Sequence, residues 1–261
     1  MKRFLAMIMA LSVMLSVCSC GQGSYTDTVK IEKGETLMIA HRGLSGLEVE
    51  NTDSAFIAAG ERSYYGIEAD VRRTADGKFV ICHDDNLKKL SGQKIDVENS
   101  TLEELLAVEL LGKNEGEVEH LTDLESYIRI CKQYDKQAIL ELKSEFTQDE
   151  VNRIIDIIIA EGYTHRVTFI SFYYDTLMYV RNAIPGQLAQ YLMSKIDDKT
   201  IEMLARDKID VSISYKEINK KTLAKIKAAG LKVNCWTVDD VKTAEKLAKM
   251  GVDYITTNIL E

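Results

Sequence analysis

LMIAHRGLSGLEVENTDSAFIAAGERSYYGIEADVRRTADGKFVICHDD, residues 37–85, contains three short apolar runs, and each holds or meets a group that can move a proton or hold a cation. LMIA runs into His41, GIEADV carries Glu68 and Asp70, and KFVIC runs into His83. Apolar runs of this length between turn-forming residues read as strands. On a strand, side chains at i and i+2 share a face, so Glu68 and Asp70 point the same way. Two carboxylates side by side raise one another's pKa unless a cation lies between them. A hard divalent ion with oxygen ligands suits such a pair.

Outward from this stretch the pattern repeats. Strands are expected at 36–40, 66–71, 137–142, 166–171, 187–192, 209–213, 231–236 and 252–256. Helix-period segments lie near 52–64, 121–134, 147–161, 173–183, 197–206, 216–229 and 239–249. Thr147 ahead of Gln148-Asp149-Glu150, and the pair Asp239-Asp240, are helix start signals. Gly230 and Gly251 stand where left-handed helix ends are expected. Eight strands, nearly all followed by a helix, predict a (β/α)8 barrel, an α/β fold. KFVICH (78–83), behind the turn Ala75-Asp76-Gly77, fits either a hairpin strand or the third barrel strand. Residues 85–121 are polar, with one short helix expected at about 101–111.

With its motifs in order, the chain resembles the glycerophosphodiester phosphodiesterase family. HRG at 41–43, ENT at 50–52, EAD at 68–70 and HDD at 83–85 are followed by ELK at 141–143, SF at 171–172, WTV at 236–238 and GVDYITT at 251–257. The resemblance spans residues 36–258 and implies a TIM barrel of the phospholipase C-like phosphodiesterase type, with a short insertion after the second strand region. It also implies metal-dependent hydrolysis of glycerophosphodiesters to an alcohol and sn-glycerol 3-phosphate. In this family the attacking oxygen is the substrate glycerol's own 2-hydroxyl, and water opens the resulting cyclic phosphate. The sequence departs from the family at Val49 and at Ile259 or Leu260, where proline is usual, and at Asn258, where the family has aspartate.

Glu68, Asp70 and Glu141 are the candidate metal ligands, and three carboxylates suit Mg²⁺ or Ca²⁺. The bland alternative is an ion-pair network with Arg42, Arg72 or Lys143. Such networks are a poor source of net stability, and acids converging at strand ends favour a site. His41 and His83 are the candidate acid–base pair, because imidazole titrates near working pH. The residues leave open which of them is the base. A lone histidine at a strand end is commonly a core residue; two flanking a carboxylate pair point to catalysis. Arg42 can fork onto phosphate oxygens, and Lys143 shares a strand face with Glu141. Glu50 and Asn51 are expected to support the site, and Trp236, with Phe172, to wall the substrate. His120 and His165 read as surface residues, and the lysine-rich run 216–227 as a solvated helix face.

The 261 residues suit one large α/β domain or two small ones, with 46% hydrophobic and 28% charged residues. A formal charge of −8 argues against nucleic acid and against an electrostatic grip on anionic lipid. Residues 1–20, MKRFLAMIMALSVMLSVCSC, read as a secretory signal ending in a lipoprotein-type box. Cys20 after small Ser19 is the favoured lipidation site, and Cys18 the other register. An extracytoplasmic, membrane-anchored enzyme is therefore expected, with residues 21–35 as a polar tether of ~20 Å root-mean-square span and residues 36–261 as the catalytic domain. Cys82, Cys131 and Cys235 fit no disulfide or zinc spacing.

Two rival functions remain in view. A lysophospholipase D or sphingomyelinase D-like phosphodiesterase needs an apolar lip, which no contiguous stretch supplies. A catalytically silent receptor for glycerophospho head groups is opposed by the presence of both histidines, all three acids, Arg42 and Lys143. Neither the His-x-His pair usual in other barrel metal hydrolases nor a G-x-S-x-G serine nucleophile is present.

Overall fold

The computed structural model describes residues 25–114 and 116–261. The expected signal segment and Cys20 lie outside the described residues. The chain begins its regular structure with β1 (Leu37–Ala40), α1 (Asp53–Gly60), β2 (Gly66–Arg73) and β3 (Phe79–Ile81). An insertion follows, made of α2 (Lys88–Ser91), α3 (Leu102–Leu106), β4 (Leu110–Leu111), β5 (Val118–Glu119) and β6 (Thr122–Asp123). The βα alternation then resumes with α4 (Leu124–Gln133), β7 (Gln137–Leu142), α5 (Gln148–Ala160), β8 (Val167–Ser171) and α6 (Tyr174–Ala183). It ends with β9 (Leu188–Met193), α7 (Asp198–Asp207), β10 (Asp210–Ser214), α8 (Lys220–Ala228), β11 (Val233–Trp236), α9 (Val241–Met250) and β12 (Tyr254–Thr257).

β1, β2 and β7 through β12 pair in parallel, and β12 returns to β1, closing an eight-stranded barrel. All eight expected barrel strands are present. β3 pairs antiparallel with β2, so KFVICH forms a hairpin strand outside the barrel. The Ala75-Asp76-Gly77 turn imposes this, because too few residues separate the runs for a parallel crossover.

Helix starts follow the sequence signals. Thr147 makes a reciprocal capping box with Glu150, and Asp240 accepts from the Thr243 amide. Gly251 ends α9 in the left-handed region, at φ 89°. The helices bury one stripe each against the outer barrel wall, as with Ile154 and Ile158 of α5. Inside the barrel a smaller apolar cluster of Ile39, Ile139, Ile170, Leu192 and Tyr254 fills the floor.

The insertion differs from the single helix expected at 101–111. α3 stops at Leu106, and the chain turns so that Leu110 enters a separate small core with Val80, Cys82, Leu87 and Leu105. That core also takes in Val49, so the apolar residue standing where the family has proline is held by packing. Lys113 reaches back to the Ser45 carbonyl at 2.6 Å, tying the β4–β5 hairpin to the loop after His41.

The polar segment before β1 is not free through residue 35. Val29 and Ile31 donate amide hydrogens to the carbonyls of Ile259 and Glu261, and the Glu261 amide donates back to Val29. Any tether therefore ends before residue 28, because these backbone groups gain partners along the C-terminal strand's exit. Cys82, Cys131 and Cys235 are buried free thiols. Among the described residues, no helix is long and apolar enough to cross a membrane.

Candidate active site

The C-terminal mouth of the barrel holds a cavity of ≈ 200 Å³. His41, Arg42, Glu68, His83, Glu141 and Lys143 line one side. Phe172 and Trp236 stand opposite, edge to face with centroids 5.8 Å apart. The structure thus brings the expected candidates to one place. Asp70 lies just beneath, while Glu50 and Asn51 stand behind them. His120 and His165 are exposed, away from the cavity lining.

The loop after β1 is built for this. Arg42 is left-handed at φ 56°, and its amide donates to Glu68 Oε2 at 2.7 Å. Asn51 is also left-handed, at φ 59°, and its amide donates to the Arg42 carbonyl. Non-glycine residues persist in this region where surrounding contacts over-determine them, commonly at functional sites. Between them Gly43, at φ 74°, leaves no room for a Cβ, which would lie 2.6 Å from the Ala55 carbonyl carbon. The HRG and ENT motifs are thus two ends of one clasp.

Glu68, Asp70 and Glu141 each offer an oxygen, and these atoms lie within 4.8 Å of one another. All three residues are buried. Asp70 and Glu141 are neighbours across the β2–β7 register. Burial, and then the Asp70 and Glu141 charges, push the Glu68 carboxyl well above its usual range. Burial and Asp70 push Glu141 up as well. Burial also works against the Asp70 charge, but Lys143 and Arg42 hold that carboxyl low. Lys143 Nζ stands 3.0 Å from Glu141 Oε1 and 3.4 Å from Asp70 Oδ1. Arg42 Nη1 donates to Glu50 at 2.8 Å, and its Nε lies 3.6 Å from Asp70. Once all three are ionised, three carboxylates against two cations leave a net negative charge, so the set suits a divalent ion on charge as well as on donor chemistry.

Two buried donors of the site, Arg42 Nε and Trp236 Nε1, have no hydrogen-bond partner. Native interiors rarely leave donors unpaired, and those left over at a site are ones a ligand oxygen can satisfy.

The histidines differ in their surroundings. His41 Nδ1 lies 2.7 Å from Asn258 Oδ1, while Asn258 donates from Nδ2 to Asp239 at 2.6 Å and from its amide at 2.7 Å. The Asp239 carboxylate accepts only, so the amide nitrogen must face it and the Asn258 oxygen must face His41. That places the His41 proton on Nδ1 and leaves Nε2 as a free acceptor. Burial, with Arg42 alongside, pushes the His41 imidazole down to about 4. His83 Nδ1 instead meets the Asp84 carboxylate at 2.7 Å. Its backbone is pinned by Arg72, which donates from Nε and Nη2 to the His83 carbonyl.

Sequence reasoning noted Asn258 only as a departure and did not anticipate Asp239 as its partner. The WTV–Asp239 and Thr257–Asn258 segments follow β11 and β12, which are neighbours in the barrel. A carboxylate three residues after one strand's end and an amide just past the next is the signal that was available.

A model of the Glycerophosphoryl diester phosphodiesterase family matches residues 41–261. A glycerophosphodiester phosphodiesterase of Caldanaerobacter subterraneus is 30% identical over 233 residues, covering 86% of this chain and 94% of the relative. A phosphodiesterase of Oleispira antarctica, solved with the product sn-glycerol-3-phosphate, superposes with a TM-score of 0.79 at 28% identity, covering 85% of this chain and 92% of that one. The crystal structure of a glycerophosphodiester phosphodiesterase of Parabacteroides distasonis gives 0.74 at 29% identity, over 87% and 94%.

Proposed function

This chain belongs to the glycerophosphodiester phosphodiesterase family and is an enzyme of that activity, and on that premise we propose how its residues divide the work. Glu68, Asp70 and Glu141 hold one divalent cation, Mg²⁺ or Ca²⁺, which when bound supplies positive charge against the substrate phosphate. Arg42 and Lys143 grip the remaining phosphate oxygens, with Arg42 Nε as the unspent donor. Glu50, braced by Lys89 at 2.6 Å, keeps Arg42 in place. Trp236 closes the other wall.

His41 is the base of the first step. Its Nε2 takes the proton from the glycerol 2-hydroxyl, whose oxygen bonds to phosphorus as the bond to the leaving alcohol breaks. His83, whose imidazole burial pushes down while the Asp70 and Asp84 carboxylates oppose that shift, gives the leaving oxygen its proton. The roles then reverse: His83 takes a proton from water as it attacks the cyclic phosphate, and His41 returns its proton to the 2-oxygen. Atoms and protons balance over the two steps, and sn-glycerol 3-phosphate is released.

The observation that carries this reading is the pair of differently poised imidazoles flanking three buried acids and two cations in one cavity. The test uses the chain without its signal segment and measures glycerol 3-phosphate release from glycerophosphocholine and glycerophosphoethanolamine with Mg²⁺, Ca²⁺ or chelator. A Glu68→Ala/Asp70→Ala variant serves as the control. Metal-dependent release that vanishes in the control supports the reading. Undiminished release in chelator overturns the metal's role. We further propose that Cys20 is lipidated and holds the enzyme at an extracytoplasmic membrane face; Cys20→Ser would release it in soluble form.

A further inference from the structure

A second cavity, of ≈ 250 Å³, opens beside the catalytic one and shares the Phe172 ring with it. It is built from the segment after β7 and from the start of α6, so it lies on the same C-terminal mouth. Five of its eight lining residues are aromatic: Phe146, Phe172, Tyr173, Tyr174 and Tyr179. Across the whole chain only 7% of residues are aromatic, so this wall is concentrated far beyond composition. Phe172 and Tyr173 are 43% and 41% exposed, which is costly unless something covers them. The Tyr174 hydroxyl is engaged by Asp207 and its ring packs edge-on against Tyr191, and Phe146 is buried against Phe79, so Phe172 and Tyr173 are the rings with exposed surface here.

The remaining chemistry is acidic. Glu145 and Asp175 line the same cavity, and no lysine, arginine or histidine does. Glu145 uses only its backbone carbonyl, accepting from Arg73, and among the described residues neither carboxylate has an ion-pair partner. The first turn of α6 opens here without a side-chain cap, and its dipole would favour an anion. That effect is worth roughly half a positive charge, against two full negative charges. Rings and carboxylates with no competing cation are the setting in which a substituted ammonium group is held, by ring faces and by Coulomb attraction together.

We propose that this cleft binds the head group of the substrate, and that it selects a cationic amine such as choline or ethanolamine over a neutral alcohol. The inference rests on the phosphodiesterase reading above, with the phosphate held by Arg42 and Lys143 and the leaving alcohol running past Phe172 into the cleft. Its size suits a small head group: it is below the range of pockets that enclose drug-sized ligands.

The test compares kcat/KM for glycerophosphocholine and for glycerophosphoglycerol in the wild type, in Glu145→Gln/Asp175→Asn and in Tyr173→Ala. The wild type is expected to prefer the choline ester by about fivefold or more. In both variants this preference should fall toward one, through KM more than kcat. A wild-type ratio near one, or a preference that survives both variants, overturns the proposal. Tetramethylammonium binding to the full chain, followed by NMR of the tyrosine rings, is the second measurement. Millimolar binding that is lost in Glu145→Gln/Asp175→Asn supports the cleft even if neither ester turns over, a result that would count against the phosphodiesterase reading alone. No binding in the wild type overturns the cleft whatever the turnover.

Discussion

The two sides of the barrel mouth stand at similar depth but handle buried polarity differently. On β9 to β12, Gln190, Ser212, Asn234 and Thr256 are all buried, and they satisfy one another. Asn234 donates to Gln190 at 3.2 Å and accepts from Thr256 at 3.0 Å. Amides and hydroxyls can donate and accept, so this neutral ladder closes on itself. On β2 and β7, Glu68, Asp70 and Glu141 can only accept when ionised, and two cations do not offset three charges. One side of the mouth is finished by folding; the other is completed only by what it binds.

If so, removing charge from the acidic side should separate stability from activity, and this is the largest effect expected. Glu68→Gln should lower kcat/KM by on the order of 10³-fold, since a single lost electrostatic group at a reacting centre costs 10²–10³. In chelator, at a pH high enough to ionise Glu68, the same variant should melt higher than the wild type, because a like charge has been removed. A lower melting temperature in chelator would mean that the acids are a structural network. A pH scan sharpens the point. Glu141 is pushed up to about 7, mainly by burial. The folded state then holds a proton that the unfolded chain releases near 4.5, so metal-free stability falls as pH rises through about 7. A saturating divalent cation should flatten that slope.

The two imidazoles offer the next contrast. Asn258→Leu removes the acceptor that fixes the His41 tautomer, and a 10- to 100-fold loss is expected, in kcat more than KM. The ¹⁵N shifts of His41 would report the tautomer directly; an unchanged Nδ1–H signal would show that Asn258 does not set it. His41 also carries a stability signature of opposite sign to Glu141. Its folded pKa is depressed to about 4, so the unfolded chain binds the extra proton first. Stability tied to His41 is present above pH 6.5 and is lost as pH falls toward 4. His41→Gln should abolish that acid-side loss in a melting series, along with activity.

These residues also mark where sequence reading ends. The eight barrel strands were legible because each is a short apolar run between turn residues, and the acids and histidines because they sit within or at the ends of such runs. α2 was not, since four residues, Lys88–Ser91, are too few to show a period. α3 was overestimated because Leu110 continues the apolar spacing of Leu102–Leu106 although it belongs to a hairpin. The His41–Asn258–Asp239 chain joins three loops, and the aromatic cleft joins two. Contacts between loops depend on barrel closure, which no local pattern encodes.

The neutral ladder should behave in the opposite way to the acids. Asn234→Leu strands the Gln190 and Thr256 groups in a dry interior, at about 1–3 kcal/mol for an unsatisfied buried polar group. Melting temperature should fall while kcat stays within an order of magnitude, as Asn234 faces the cavity without touching the acids or imidazoles. A loss of activity as large as that of Glu68→Gln, with normal melting, would make the ladder part of the chemistry and erase the contrast.

The smallest effect tests how far the acidic side's support reaches. Glu50 stands between Arg42 and Lys89, holding the first at 2.8 Å and the second at 2.6 Å. Lys89 is 55% exposed, and an exposed pair of this kind is worth about 0.2–1 kcal/mol. Lys89→Ala should therefore cost little stability, and less at high salt, where water and ions screen the pair. Glu50→Gln takes the charge out of the inner contact as well, where both side chains are only 15% exposed. Arg42 would then have Asp70 as its remaining carboxylate neighbour and would lean toward the acids. KM for the phosphodiester should rise more in Glu50→Gln than in Lys89→Ala, with kcat moved less than KM in each. Equal effects would place the anchoring of Arg42 in the outer pair, and the inner clasp of Arg42 with Asn51 and Glu68 would then have to hold the guanidinium without Glu50.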